Sequence, residues 1–263
     1  MKLRHLRKME NFRTEDDMEY QQWQERCRML VGEQGCRRLA VSAVAVAGLG
    51  GVGGYAAEMV VRAGVGRIVI IDSDVVSPTN KNRQLLALDS TIGQFKCDVM
   101  ERRLKDINPE VEIVSIKQYL DEENIPSIMA SVGRIDYLID AIDTLAPKIA
   151  LICHCVENGI PLVSSMGAGA KFDATKIRLT DISKSYNCPL AFILRKKLRK
   201  RGISKGFSVV FSEELPERSS IVPSEGERNK KSQVGTFSYI PPVFGCVCAQ
   251  AALNYLIDKK DEV

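Results

Sequence analysis

No Cys-x-x-Cys pair occurs in this 263-residue chain, although it holds eight cysteines. Zinc ribbons and dithiol redox centres need such pairs, because two sulfurs must converge on one metal or on each other. Cys153-His154-Cys155 and Cys246-Val247-Cys248 instead place their sulfurs two residues apart inside helical patterns, where they point to different faces. Buried, reduced thiols are therefore expected. Net charge is also scarce: Lys and Arg total 37 against 33 Asp and Glu, leaving +4, too little to imply nucleic acid by itself. No apolar run approaches the roughly eighteen residues of a membrane span, and the basic start, Met1 to Glu10, lacks an apolar signal core. Neither membrane nor secretion is expected, and the compartment implied is cytoplasmic. No internal repeat is visible.

What is present is a regular alternation. Strand-like runs at Ala43 to Ala47, Arg67 to Ile71, Val111 to Ile116, Tyr137 to Asp140 and Pro161 to Ser165 alternate with helical patterns at Tyr55 to Ala63, Gln94 to Ile107 and Pro147 to Asn158. Gly64 and Gly159 stand where helices should stop, and Pro147 where one should start. This predicts an α/β, Rossmann-like, mostly parallel doubly wound sheet. A helical lead-in, Glu15 to Arg38, precedes it. A C-terminal strand and helix extension follows: strands Lys176 to Asp181 and Ser208 to Ser212, a helix from Pro189 with Leu190, Ile193, Leu194 and Leu198 on one face, a mobile loop over Ser219 to Lys231, and a last helix, Val243 to Ile257.

Gly48-Leu49-Gly50-Gly51-Val52-Gly53-Gly54 follows the first strand, and Asp72 closes the second. A strand, a glycine turn and a helix N-terminus present backbone N–H groups to phosphate, and the acid accepts from ribose hydroxyls. On this reading glycine is needed because phosphate approaches where a Cβ would stand; a tight packing turn is the other reading. Asn80, Asn82, Arg83 and Gln84, then Gly93-Gln94-Phe95-Lys96, add fixed positive charge beyond the ribose acid, which suits a triphosphate losing pyrophosphate better than hydride transfer. The fourth strand ends in two carboxylates, Asp140 and Asp143, the donor type Mg²⁺ prefers beside substrate oxygens. Against these stand an N-cap role for Asp143 and a solvated surface for Arg83 and Lys96.

The set Gly48-x-Gly50-Gly51-x-Gly53, Asp72-x-Asp74, Asn80-x-Asn82-Arg83-Gln84, Gly93-Gln94-x-Lys96 and Asp140-x-x-Asp143 resembles the adenylating superfamily of ubiquitin-activating enzymes and the activators of molybdopterin and thiamin sulfur carriers. The stretches Pro161 to Gly169 and Asn187-Cys188-Pro189-Leu190 through Leu198-Arg199 are most similar to its tRNA threonylcarbamoyladenosine dehydratase branch. The missing Cys-x-x-Cys pairs separate the chain from the zinc-holding sulfur-carrier activators. The resemblance implies a lead-in over 1–41, an ATP-binding adenylation core over 42–170 and a substrate- and RNA-binding extension over 171–263. It implies ATP with Mg²⁺ as cofactors, tRNA as substrate and an acyl-adenylate route to a cyclised product. In it Gly48, Gly50, Gly51 and Gly53 cradle phosphates, Asp72 and Asp74 serve the ribose side, Asn80, Arg83 and Lys96 stabilise the triphosphate, Gln84 supports the Arg83 loop, and Asp143 anchors the metal. Gly167-Ala168-Gly169 would floor the acceptor pocket. A homodimer is implied too, with an arginine of the lead-in reaching the neighbouring subunit's ATP; Arg28 matches best, Arg26 is two residues away, and a packing or solvent role is the other reading. No cysteine nucleophile carries over, because the loop Ile221 to Thr236 has none. Sulfur-transfer protein partners are left open.

From Ile182 through Ser212 there is no acidic residue, while Lys184, Arg195, Lys196, Lys197, Arg199, Lys200, Arg201 and Lys205 supply eight positive charges. Solvated helix faces usually mix signs. Arg195, Lys196, Arg199 and Lys200 are therefore candidates for RNA backbone contact, with a solvated face as the alternative. Two other functions remain open: an activator of a sulfur-carrier or ubiquitin-like protein, and a non-catalytic or redox Rossmann module.

Overall fold

The computed structural model describes residues 21–223 and 232–258. The basic start, the beginning of the lead-in and residues 224–231 of the expected mobile loop lie outside the described residues. Strands β1 (Ala43–Ala47), β2 (Arg67–Ile71), β3 (Glu112–Ile116), β4 (Tyr137–Asp140), β5 (Leu162–Ser165), β6 (Ile177–Asp181) and β7 (Ser208–Ser212) form one sheet in the order β3-β2-β1-β4-β5-β7-β6. All neighbours are parallel except β6, which pairs antiparallel with β7. β1 and β4 read Ala-Val-Ala-Val-Ala and Tyr-Leu-Ile-Asp and are buried throughout, as central strands covered on both faces must be.

Helices α1 (Glu25–Ala40), α2 (Gly53–Arg62), α3 (Lys96–Ile107) and α7 (Ile240–Asp258) carry side chains of one core, while α4 (Ile125–Ser131), α5 (Leu145–Glu157) and α6 (Pro189–Arg199) serve the core on the opposite face. Gly64 and Gly159 end α2 and α5 with φ of +96° and +66°, values that glycine adopts without Cβ strain. α1 is not one rod: Gly32, at φ +72° and ψ 175°, interrupts it.

α7 begins three residues earlier than the sequence pattern suggests. Pro241 and Pro242 fall in its first turn, where a missing N–H costs no helical hydrogen bond. Its length of 19 residues and mean hydropathy of 1.5 would suffice to cross a membrane, but half of it is buried inside this fold, with Ile240, Phe244, Cys248, Ala252 and Leu256 in the core. At the described start of the expected mobile loop, β8 (Ile221–Pro223) pairs antiparallel with β9 (Ser232–Val234), which follows the loop. All eight cysteines are free, but Cys246 is exposed and Cys27 half-buried, so the expectation of buried thiols holds for the other six.

Candidate active site

β1 and β4 are adjacent, yet the chain leaves β1 for α2 on one face and β4 for α5 on the other. Their carboxyl ends therefore open a crevice at the point where strand order reverses, the usual ligand position in such sheets. Gly48 leaves β1 at φ +89°, and a Cβ there would lie 2.8 Å from the Ala141 carbonyl oxygen beyond β4. A Cβ on Gly53 would lie 1.7 Å from Gly48 O, and one on Gly51 would lie 2.9 Å from the Pro241 side chain. These three glycines are required by the protein's own packing. Gly50 differs: its nearest neighbour would be the Gln84 amide nitrogen at 3.7 Å. Room for the close ligand approach expected along the string is thus left at Gly50, whereas packing already accounts for Gly48, Gly51 and Gly53.

Asp72 braces this turn. Leu49 N–H donates to its Oδ2 at 2.6 Å and Asp74 N–H to its Oδ1 at 2.8 Å. Burial pushes the Asp72 carboxyl above the usual range, and the Lys96 ammonium opposes that rise. Lys96, the first residue of α3 and itself buried, donates to Asp74 Oδ2 at 2.8 Å with Asp72 Oδ2 at 3.9 Å. Asn80 closes its own short turn by accepting from Ser77 N–H at 3.1 Å. Arg83 donates to Thr79 O at 3.0 Å and Asn82 Oδ1 at 2.8 Å, and the Asn82 amide reaches Thr236 O at 3.0 Å, tying this loop to the segment that enters α7. Gln84 contributes a buried Oε1 with no hydrogen-bond partner, the kind of group a bound ligand satisfies. Open backbone at Gly50, this orphaned oxygen and the fixed cations fit a nucleoside triphosphate.

The two carboxylates after β4 have different fates. Asp140 is fully buried; its Oδ2 accepts from Lys148 Nζ at 2.6 Å and from the Ser164 hydroxyl at 2.6 Å, and its Oδ1 accepts from Ile142 N–H at 3.1 Å. Of the two carboxylates after β4, this leaves Asp143, the one expected to anchor a metal, as the candidate ligand, and it is exposed. Asp143 does not cap α5, because Thr144 occupies that position. One exposed carboxylate at the carboxyl end of β4 fits Mg²⁺ held mainly by substrate oxygens. Among the described residues no group of three His, Cys, Asp or Glu could cage an ion. Lys148 was not singled out in the sequence; the signal available was a lone lysine in the otherwise apolar Leu145 to Cys153 run, eight residues after a strand-ending acid.

Arg28 lies on α1 before its interruption, with Nη1 3.7 Å from Glu33 Oε1. Its neighbours Met29 and Leu30 are 80% and 86% exposed. On α6 the buried stripe is Ala191, Leu194 and Leu198, so Ile193, expected inside, is exposed. Lys196, Arg199 and Lys200 face solvent, whereas Arg195 is half-buried and donates to the buried Ser185 hydroxyl. Gly167-Ala168-Gly169 follows β5, and Ala170 N–H bonds Gly235 O at 2.8 Å, so the expected acceptor loop lies against the approach to α7.

The ThiF family model matches residues 24–263. The chain belongs to the ThiF family. It is 44% identical over 229 residues to the tRNA threonylcarbamoyladenosine dehydratase of Bacillus subtilis, covering 84% of this chain and 89% of the relative. The Escherichia coli protein of that name is 38% identical, with 88% and 91% covered. Among solved structures, Escherichia coli TcdA in complex with ATP superposes with a TM-score of 0.82 at 35% identity, covering 90% of this chain and 94% of that one. The AMP complex of TcdA gives 0.79 at 37% identity, over 89% and 93%. The TcdA structures share the mostly parallel sheet and flanking helices described above.

Proposed function

We infer that this ThiF-family protein is an ATP-dependent tRNA threonylcarbamoyladenosine dehydratase. One observation of the site carries the nucleotide half of this reading: open backbone at Gly50, the unsatisfied Gln84 oxygen, Asp72 and Lys96 all gather where β1 and β4 diverge. The dehydratase names of its relatives, and TcdA bound to ATP and AMP, support the substrate half.

The carboxylate of the threonylcarbamoyl group attacks the α-phosphorus of ATP, and the bond to the β-phosphate breaks to give an acyl adenylate and pyrophosphate. A nitrogen of the same group then closes on the activated carbonyl and expels AMP. The nucleophiles belong to the substrate, so the protein's work is positioning and charge stabilisation. N–H groups around Gly50 to Gly53 hold phosphate oxygens, and Gln84 closes over Gly50. Asp72 takes the ribose hydroxyls on the lone pairs its backbone donors leave available, with Asp74 beside it. Lys96, relayed from Asp74, and Arg83, held by Thr79 and Asn82 with Asn80 behind them, meet charge as pyrophosphate departs. Asp143 would hold Mg²⁺, which supplies further charge neutralisation when bound.

Lys196, Arg199 and Lys200 contact the tRNA backbone, with Arg195 fixed beside them by Ser185. The protein acts as a cytoplasmic homodimer in which Arg28 reaches the other copy's ATP; the solvent-facing Met29 and Leu30 beside it support a covered surface there.

Pyrophosphate release measured with modified tRNA, with a sulfur-carrier protein and with no acceptor tests the assignment. Release stimulated by tRNA alone is expected; stimulation by the carrier alone would replace it with carrier activation. Mixing Arg28→Ala with Lys96→Ala protein should restore one good site per heterodimer, and heterodimers without activity would remove Arg28 from the partner's site.

A further inference from the structure

α6 exposes more than charge. Phe192 is 62% exposed and Ile193 42% exposed, although both stand on a helix whose buried stripe is already complete with Ala191, Leu194 and Leu198. Phe192, Arg195, Lys196 and Arg199 line one surface groove. Their spacing, three, four and seven residues, puts them on one helix face, so the ring lies among the three cations. Arg195 is held in place by the Ser185 hydroxyl. Arg201, at the far end of the helix, is instead paired with Glu122 at 2.8 Å. Among the described residues no carboxylate lies within salt-bridge distance of Lys196, Lys197, Arg199 or Lys200, and the chain from Ile182 to Ser212 contains none to offer.

An exposed aromatic face within unopposed positive charge matches the two faces of a single-stranded nucleic acid. Bases offer flat apolar surfaces for stacking, and the phosphates between them need cations. A paired helix already buries its base faces on neighbouring pairs, so it can use the cations but not the ring. A protein partner would need acidic groups around an apolar centre, and a charge rim of one sign favours a polyanion with phosphates along its length.

We propose that α6 carries a stacking site for an unpaired RNA base, with Phe192 as the platform and Arg195, Lys196 and Arg199 as its phosphate clamp. The proposal rests on the RNA-contact reading of this helix and deepens it: the groove distinguishes unpaired from paired RNA, whereas charge alone would not. Phe192 is a binding residue remote from the chemistry, and its effect is on RNA affinity.

The test uses the full chain, a stem-loop RNA carrying 2-aminopurine in its loop, and a fully paired RNA duplex of equal length. Phe192→Ala should weaken stem-loop binding by roughly tenfold or more, the scale of one lost base–aromatic stack, and abolish quenching of the 2-aminopurine. Duplex affinity and the salt slope on both RNAs should stay at wild-type values, because no phosphate contact is lost. Phe192→Trp should keep both affinity and quenching. Combined Lys196→Ala and Arg199→Ala should flatten the salt slope on both RNAs. Equal affinity of Phe192→Ala and wild type for the stem-loop, or equal losses on stem-loop and duplex, would overturn the stacking site. In a parallel sedimentation with phosphatidylserine/phosphatidylcholine vesicles, binding that Phe192→Ala loses while it keeps wild-type affinity for the stem-loop would assign the groove to a lipid surface and overturn it too. An unchanged slope in the Lys196/Arg199 variant would instead overturn the RNA reading of the helix, so the two failures are distinguishable.

Discussion

The crevice at β1 and β4 and the outer face of α6 use the same residue types in opposite ways. In the crevice, Lys96 and Lys148 are buried, each within 2.8 Å of a carboxylate, and the arginine beside them is held by a carbonyl and an amide. On α6, Lys196, Arg199 and Lys200 stand in solvent on a segment without acids. Buried, paired charge is pre-oriented, and it acts strongly because little water remains to screen it. Exposed, unopposed charge is weakly oriented and salt-sensitive, which suits a long polyanion met by diffusion. On the proposed function, the first region would serve a transition state and the second capture.

The contrast is broken most severely by Lys148→Met. It leaves Asp140 buried without its cation, and breaking a buried pair this way costs about 3–5 kcal/mol. Denaturant unfolding should show that loss, and Asp140→Asn added to Lys148→Met should recover much of it. Lys200→Ala on α6 should move stability by no more than about 0.5 kcal/mol. If Lys148→Met were equally silent, the buried pair would not organise the crevice.

Arg83→Ala should cost about 2–4 kcal/mol of transition-state stabilisation, the usual loss for a preorganised donor at a reacting centre. It should show in kcat/KM for AMP formation with folding little changed. Of the glycines, Gly53→Ala should destabilise the fold by about 1–3 kcal/mol through overpacking. Gly50→Ala should fold normally and weaken ATP binding by titration calorimetry. Equal behaviour of the two would contradict the division between packing and ligand approach.

The smallest effect concerns acid stability between α2 and α3. Burial pushes the Glu58 carboxyl up, but hydrogen bonds from Arg103 and Arg62 outweigh it and leave it below its ordinary value of 4.5. A lowered folded value means a contribution present above that pH and lost as pH falls through the lowered value. Glu58→Gln should therefore flatten the acid limb of the stability profile; an unchanged limb would show that the arginines do not stabilise the carboxylate.

The sheet was legible because its strands are short apolar runs separated by helical patterns, and β1, β2, β4 and β7 fall where the pattern places them. α4 was not, because Ile125 to Ser131 spans too few residues to display a helical period. In the site, the glycines and acids were legible as types, but their division of labour depends on distances. That Asp140 is consumed by Lys148 while Asp143 is exposed follows from α5 lying on β4, and Gly53 is tight because Gly48 turns back upon it. The face of α6 differs from the pattern at Ile193 for the same kind of reason: the inward stripe runs through Ala191, Leu194 and Leu198, and an alanine gives little apolar signal in a sequence.

The most direct test of chemistry in the crevice and capture on α6 uses one variant and two substrates. Lys196, Arg199 and Lys200 are replaced together by Ala, leaving Arg195 with its Ser185 contact, and AMP formation is measured on a minimal threonylcarbamoyl nucleoside and on full modified tRNA. The account predicts a large fall in kcat/KM on tRNA, a salt dependence flattened by about one log–log unit per lost phosphate contact, and near wild-type turnover of the nucleoside. Equal losses on both substrates, or no loss on either, would contradict it.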